Sequence, residues 1–323
     1  MSQIRYGMPY QGSKNMIARE LISFLPSGKR LCDLCGGGGA ITCCAMTTSK
    51  WDRFLYNELR PLVAKGFRMA MDGDFANEKR WISREEFKAL RDTDPYVAMC
   101  FSFANNMREY AYRAEIEPWK KALHYARLLG DYRYFEEFGI YDKDVSRRAI
   151  QSHVEEYREK YNKWLDAHVE CSNKSFVGIQ HLESLERLQR LQGLERIQNE
   201  ERLNGIQSMK NESWRDRLEI RCGSYIDYQY EEGDVVYLDI PYQNTNCKAY
   251  KGFDFEEFYE WASTRPYQVF FSSYELDDDR FHRIFETRKR VCVDDNTNMA
   301  VECLYSNEPY MESLLGKQGL LDL

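Results

Sequence analysis

The chain has 323 residues, 43% hydrophobic and 14% aromatic, which excludes a disordered protein and allows one large domain or a core with a substantial insertion. A formal net charge of −7 argues mildly against a nucleic-acid partner, although whole-chain charge says little about a local cleft. The stretch "MSQIRYGMPYQGSK" has no apolar signal core and no run reaches membrane-spanning length, so a cytoplasmic protein without membrane contact is expected. Ten cysteines in that setting are expected as reduced thiols and not as a disulfide framework.

The first third reads as an α/β unit. "MIARELISFLP" (16–26) is amphipathic and predicts a helix closed by Pro26 and Gly28. "KRLCDLCGGGGAI" (29–41) predicts a short strand with Asp33 at its end, then a glycine turn opening a helix. "RFLYNELRPLV" (53–63) repeats the pattern, with Glu58 at the strand end and a helix starting near Pro61. Strand, glycine turn, helix, strand and acid form the doubly wound nucleotide-binding pattern. The glycines let backbone approach a ligand, and the second acid can accept hydrogen bonds from ribose hydroxyls. A plain tight turn and a helix-start acid favoured by the dipole compete for the same residues. Cys32 and Cys35 have zinc-like spacing but overlap the strand and turn, and adjacent Cys43 and Cys44 point apart on a helix, so no metal is expected.

The middle differs in texture. From about Phe75 to Trp214 the chain is charged, aromatic and helix-rich, as in 117–140 and 154–170. The segment "HLESLERLQRLQGLERIQ" (181–198) repeats Leu182, Leu185, Leu188, Leu191, Leu194 and Ile197 at every third position. A three-residue repeat slips by about 60° per step on an α-helix, so these side chains smear around it and form no single coiled-coil seam. The expected division is a core of 1–75 and 216–323 with an inserted helical domain over 76–215, large enough to read a macromolecular substrate.

The last third returns to α/β. "GDVVYLDIPY" predicts a strand, "FDFEEFYEWAS" (253–263) a helix, "YQVFFSSYEL" (267–276) a strand and "DDRFHRIFE" a short helix. "RKRVCV" (288–293) and "VECLYSN" (301–307) predict closing strands, antiparallel at the sheet edge. The basic run "RIFETRKR" (283–290) reads either as a phosphate-facing edge or as a solvated helix end.

"YLDIPYQN" (237–244) carries the chemistry. A carboxylate at the tip of a core strand is costly unless something uses it. Asp239 and the Ile240 carbonyl offer two acceptors, Pro241 restrains the backbone of Ile240, and Tyr242 adds an aromatic face. Two acceptors placed on the hydrogens of an aromatic amine localise its delocalised lone pair and stabilise charge as it builds. The competing explanation is a strand end with a turn proline, Asp239 as a cap and Tyr242 in the core.

"YQGSK" (10–14), "DLCGGGG" (33–39) and "DIPY" (239–242), in this order and spacing, resemble the Dam-like class of DNA adenine-N6 methyltransferases of bacteria and phages. In that family the tetrapeptide is usually Asp-Pro-Pro-Tyr. The resemblance implies a doubly wound, Rossmann-like methyltransferase sheet with an inserted helix-rich recognition domain. It implies S-adenosylmethionine held by Tyr10, Lys14, Asp33, Gly37 and Gly39, with Glu58 on the cofactor ribose and Tyr225 and Asp239 completing the pocket. Asp239, Ile240, Pro241 and Tyr242 become the catalytic group, double-stranded DNA the partner of a monomer or weak dimer, and no metal is required. In "CGSY" (222–225) Ser224 stands where the family commonly has an acid, and "FSFANNMREYAY" (101–112) resembles a family segment that often carries glycine where Ala104 stands. Two rivals remain: a methylase for another planar amine (cytosine N4, RNA or a protein amide), and a catalytically silent DNA-binding module of the same fold.

Overall fold

The computed structural model describes residues 6–114, 116–138, 163, 198–242, 252–293 and 296–308. The expected helix over 154–170, residue 163 apart, and the leucine repeat over 182–197 lie outside them. Contacts divide the chain into two compact units, Met1–Phe75 with Gly205–Leu323, and Ala76–Asn204. The second boundary falls upstream of the 215 read from sequence. Ile206 is buried, Gln207 Nε2 donates to the Phe75 carbonyl (2.8 Å) and Trp214 Nε1 to the Met71 carbonyl (2.9 Å), which fastens 205–215 to the first unit.

In the first unit the described strands are β1 (Gly28–Asp33), β2 (Trp51–Glu58), β3 (Leu218–Cys222), β4 (Asp234–Asp239), β5 (Val269–Ser273), β6 (His282–Val293) and β7 (Asn296–Ser306). They form one sheet in the order β3-β2-β1-β4-β5-β7-β6. β1 to β5 run parallel, and β7 is antiparallel to both β5 and β6. The fold is therefore α/β with a mixed, mostly parallel, Rossmann-like sheet. Parallel strands covered on both faces need continuous apolar runs, and "VVYL" in β4 and "VFFSS" in β5 are buried throughout.

Helices cover both faces. On one, the Tyr56 ring of β2 stacks on Phe67 of α3 (Pro61–Asp72) at 3.9 Å. Pro61 at the first turn and Gly73 in the left-handed conformation (φ 82°) delimit α3 as such residues usually do. α1 (Ala18–Phe24) and α2 (Ala40–Ala45) accompany it, α1 being shorter than the 16–26 predicted. On the other face, Phe258 and Trp261 of the Phe255–Ser263 helix pack with Leu238, Ile240 and Phe271. Asp254 caps that helix by accepting from Glu257 N (3.0 Å).

The helix predicted at 278–286 is instead a turn followed by β6. Asp278 accepts from Arg280 N (3.0 Å), a local turn that imitates a helix cap in the sequence. The register shift between Arg283 and Phe285 breaks the alternation that would have revealed a strand. Pairing with β7 satisfies the backbone, and Phe285 stacks on Phe24 at 4.7 Å, so tertiary contacts override local helix propensity. Arg283 accordingly stands on a strand, ion-paired with Glu286 at 3.1 Å, and is not a solvated helix end.

The second unit contains α4 (Arg84–Leu90), α5 (Pro95–Cys100) and α6 (Glu117–Leu129). Ser83 and Glu86 form a reciprocal capping box on α4, and Asp94 caps α5. Its core holds a satisfied polar chain: Tyr112 OH donates to Asn199 Oδ1 (2.7 Å), the Asn199 amide to His124 Nδ1 (2.7 Å), and His124 Nε2 to the Lys79 carbonyl (2.9 Å). Among the described residues no helix is long and apolar enough to cross a membrane.

The fastening of 205–215 is testable. Trp214→Ala should cost about 3–5 kcal/mol in urea unfolding, as expected for a buried tryptophan. A loss below about 0.5 kcal/mol, typical of a surface change, would contradict that assignment.

Candidate active site

The sheet places three acids at one edge. The strand order reverses between β1 and β4, and in open α/β sheets ligands bind outside the carboxyl ends of strands at such a switch point. Asp33 ends β1, Glu58 ends β2 and Asp239 ends β4. Asp33 pairs in register with Tyr56 on one side and Tyr237 on the other, so Glu58 and Asp239 each lie two residues beyond.

The glycine loop after β1 is clamped from both sides. Tyr56 OH donates to the Gly37 carbonyl (2.6 Å), and Gly37 N donates to Glu58 Oε2 (2.9 Å). Glu58 Oε1 accepts from Arg60 N (3.0 Å), so this acid braces the loop from below. The N-terminal segment covers the loop: Met8 N donates to the Gly38 carbonyl (2.7 Å), and Arg60 donates to Tyr10 OH while lying over its ring. A Cβ on Gly37 would come within 2.9 Å of the Tyr10 ring, and one on Gly39 (φ 76°) within 2.1 Å of Phe67. Tyr10 and Glu58 thus meet at Gly37, while Gly39 abuts Phe67.

Asp33 lies inside this cradle. Its Oδ2 accepts from Thr42 OH (2.8 Å), while its Oδ1 is buried with no hydrogen-bond partner. Burial pushes the Asp33 carboxyl up to about 7, against the Thr42 hydrogen bond and with added repulsion from Asp239 and Glu58. A buried acceptor without a donor is costly, and a ligand ammonium would supply one. The orphaned oxygen and the glycine cradle could together hold a ligand that carries an ammonium group.

Lys14 joins the other end of the site. Its ammonium lies 2.5 Å from Asp239 Oδ1 and 3.2 Å from Glu302 Oε1, and 4.7 Å from the centre of the Tyr242 ring. Tyr242 OH donates to the same Glu302 oxygen at 2.5 Å, and its ring packs against Tyr274. Burial alone would push the lysine down, but the two carboxylates outweigh it and hold its pKa raised. Burial, then the charges of Asp239 and Glu302, push the Tyr242 phenol well above its ordinary range, so it stays a donor. The Lys14 and Glu302 side chains are 3% and 0% exposed while Asp239 keeps 21%, so of these three charges Asp239 is the one presented outward.

Tyr225 is half-buried and packs edge-on against Trp261 (5.0 Å) and Phe258 (5.6 Å). Ser224 caps its turn by accepting from Ile226 N (3.3 Å) and leaves Asp227 as the acid lining a cavity of about 280 Å³ with Leu34, Asn57 and Gly223. The Ile240 side chain is buried, and Pro241 follows it directly. Sequence reading missed Glu302, which sits in "VECLYSN"; an acid within an apolar strand was the available signal, as it was for Asp239. It also missed Leu59 and Ile226, 67% and 45% exposed just past β2 and β3.

No family model and no curated protein matches the sequence. Cys32, Cys35, Cys43 and Cys44 are free thiols, and among the described residues no group of three or more His, Cys, Asp or Glu is placed to hold a metal.

Asp33 should make stability depend on pH. Its folded pKa of about 7 lies above the ordinary 3.8, so the native state binds more protons between these values. The contribution is present below pH 3.8 and is lost as pH rises through about 7. The loss should be on the order of 4 kcal/mol. Asp33→Asn should flatten urea-unfolding stability across that window; an unchanged profile would place the titration elsewhere.

Proposed function

We propose that this chain transfers a methyl group from S-adenosylmethionine to the N6 amine of adenine in DNA. The observation that carries this reading is Asp239, held by a buried ammonium at the tip of β4 and next to the orphaned Asp33 oxygen at the switch point. Two acids of one edge have distinct tasks in it. Asp33 accepts a hydrogen bond from the donor's amino-acid end, and Asp239 accepts one from the target amine.

S-adenosylmethionine supplies an electrophilic methyl group on a sulfonium. The protein's part is positional and electrostatic. Gly37 and Gly39, in backbone conformations that suit glycine, let the loop approach the donor closely. Glu58 holds that loop, and in this reading a remaining lone pair of its carboxylate accepts from a ribose hydroxyl. Leu59 and Ile226 offer apolar surface at the same edge for a purine ring. Asp239 and the Ile240 carbonyl bind the hydrogens of the amine and direct its lone pair at the methyl group. As the N–C bond forms, the S–CH3 bond breaks to leave the neutral thioether S-adenosylhomocysteine. The two acceptors stabilise the positive charge on nitrogen, and a proton is then lost from nitrogen to solvent. The base must leave the duplex to reach them, and Tyr242 supplies aromatic surface for it.

The second unit supplies the target-reading surface. Ser102 and Tyr110 pair across a tight hairpin in which Ala104, Asn105 and Met107 have φ of 46°, 59° and 59°. Non-glycine residues in that region cost energy and persist where function retains them. The hairpin holds Phe103 55% exposed, a ring available to stack on bases.

Two outcomes follow. Purified protein incubated with duplex DNA and S-adenosylmethionine should yield N6-methyladenine by mass spectrometry, and Asp239→Ala should lower turnover by about a hundredfold or more. Methyl groups on cytosine would redirect the substrate assignment, and undiminished Asp239→Ala activity would remove the mechanism. Phe103→Ala should weaken DNA binding by about 1–3 kcal/mol while leaving S-adenosylmethionine binding intact. Equal DNA affinity would exclude the hairpin from the interface.

A further inference from the structure

Glu302 is a fully buried carboxylate on β7, remote in sequence from every motif that suggested the chemistry. A buried charge is retained only when paired and hydrogen-bonded. Glu302 is both: Oε1 faces the Lys14 ammonium at 3.2 Å and accepts the Tyr242 hydroxyl at 2.5 Å. Lys14 in turn touches Asp239 at 2.5 Å. One carboxylate thus reaches the two side chains that frame the outward-facing acid.

We propose that Glu302 is a positioning residue for methyl transfer, fixing the Tyr242 ring through its hydroxyl and holding the Lys14 ammonium against Asp239. This rests on the methyltransferase reading above. The two restraints act on different requirements of the reaction. The Tyr242 ring must keep one plane for a base to stack on it, and a phenol tied at its far end cannot swing about its χ angles. Asp239 must point at the amine, and an ammonium held from behind by a second carboxylate anchors Oδ1, which fixes the carboxylate plane and so the direction of Oδ2. Glu302 itself touches no reacting atom. Its removal should therefore slow turnover without loosening the donor, whose cradle at Asp33, Gly37 and Glu58 it does not contact.

The test compares wild type, Glu302→Gln, Tyr242→Phe and the double variant for kcat, DNA KM and S-adenosylmethionine affinity. It also measures acetylation of Lys14 by acetic anhydride, read by mass spectrometry on folded protein. Glu302→Gln should lower kcat by about tenfold to a hundredfold, the usual cost of losing an orienting partner, with donor affinity kept. Its effect and that of Tyr242→Phe should be less than multiplicative, because both release the same ring, and Lys14 should acetylate faster than in wild type. An unchanged kcat in folded Glu302→Gln overturns the proposal, as do fully multiplicative effects with unaltered Lys14 labelling. Wild-type protein that transfers no methyl group overturns the methyltransferase reading instead; Lys14 labelling then decides, faster acetylation supporting the role of Glu302 and an unchanged rate refuting it. Where Glu302→Gln fails to fold, Tyr242→Phe decides: a several-fold fall in kcat at constant DNA KM supports the anchor, and wild-type kcat refutes it.

Discussion

A buried ammonium set between two carboxylates is the constraint on which the site depends. Three parallel strands deliver Asp33, Glu58 and Asp239 to one sheet edge, where like charges in a poorly solvated space repel. Lys14 offsets Asp239 and Glu302 together, and burying it would be unfavourable without both. The N-terminal segment must therefore cross the glycine loop to reach the tip of β4. That path explains why Tyr10 lies over Gly37 and why Met8 bonds to Gly38.

The remaining acids are handled by other means. Glu58 gives its oxygens to backbone amides of Gly37 and Arg60 and becomes part of the loop's scaffold. Asp33 is left with an oxygen that no group of the described protein meets, and burial raises its pKa accordingly. One edge thus contains a carboxylate that is structurally committed, one that awaits a donor, and one presented outward on a charged support. Such divergence between neighbouring acids is enriched at functional sites.

Much of this was legible in the sequence where physics is local. Apolar residues running into a terminal acid marked β1 (Leu31 and Cys32 before Asp33), β2 and β4, because buried strands leave little choice of residue. The glycine run marked a turn that proves intolerant of a Cβ at Gly37 and Gly39. What depended on distant contacts was not legible. The strand at 288–293 was legible, but the first part of β6 looks helical because Asp278 and its neighbours imitate a cap, and only β7 determines its pairing. Lys14 and Asp239 are both expected at the donor pocket, but their direct ion pair and the contact of Lys14 with Glu302 join residues more than two hundred positions apart. Glu302 was read merely as part of a strand, since nothing in "VECLYSN" shows what its side chain meets. The resemblance of Tyr225 to a pocket residue did not reveal its packing on Trp261 and Phe258.

The most direct test of the central claim, that the acids at the switch point form one donor-and-amine site, is a crystal structure with S-adenosylhomocysteine bound. The ligand's ammonium should lie within hydrogen-bond distance of Asp33 Oδ1, its ribose beside Glu58, and its sulfur on the side of the pocket that faces Asp239. A ligand bound elsewhere, or one whose sulfur points away from Asp239 with Asp33 Oδ1 still unpartnered, would contradict that claim.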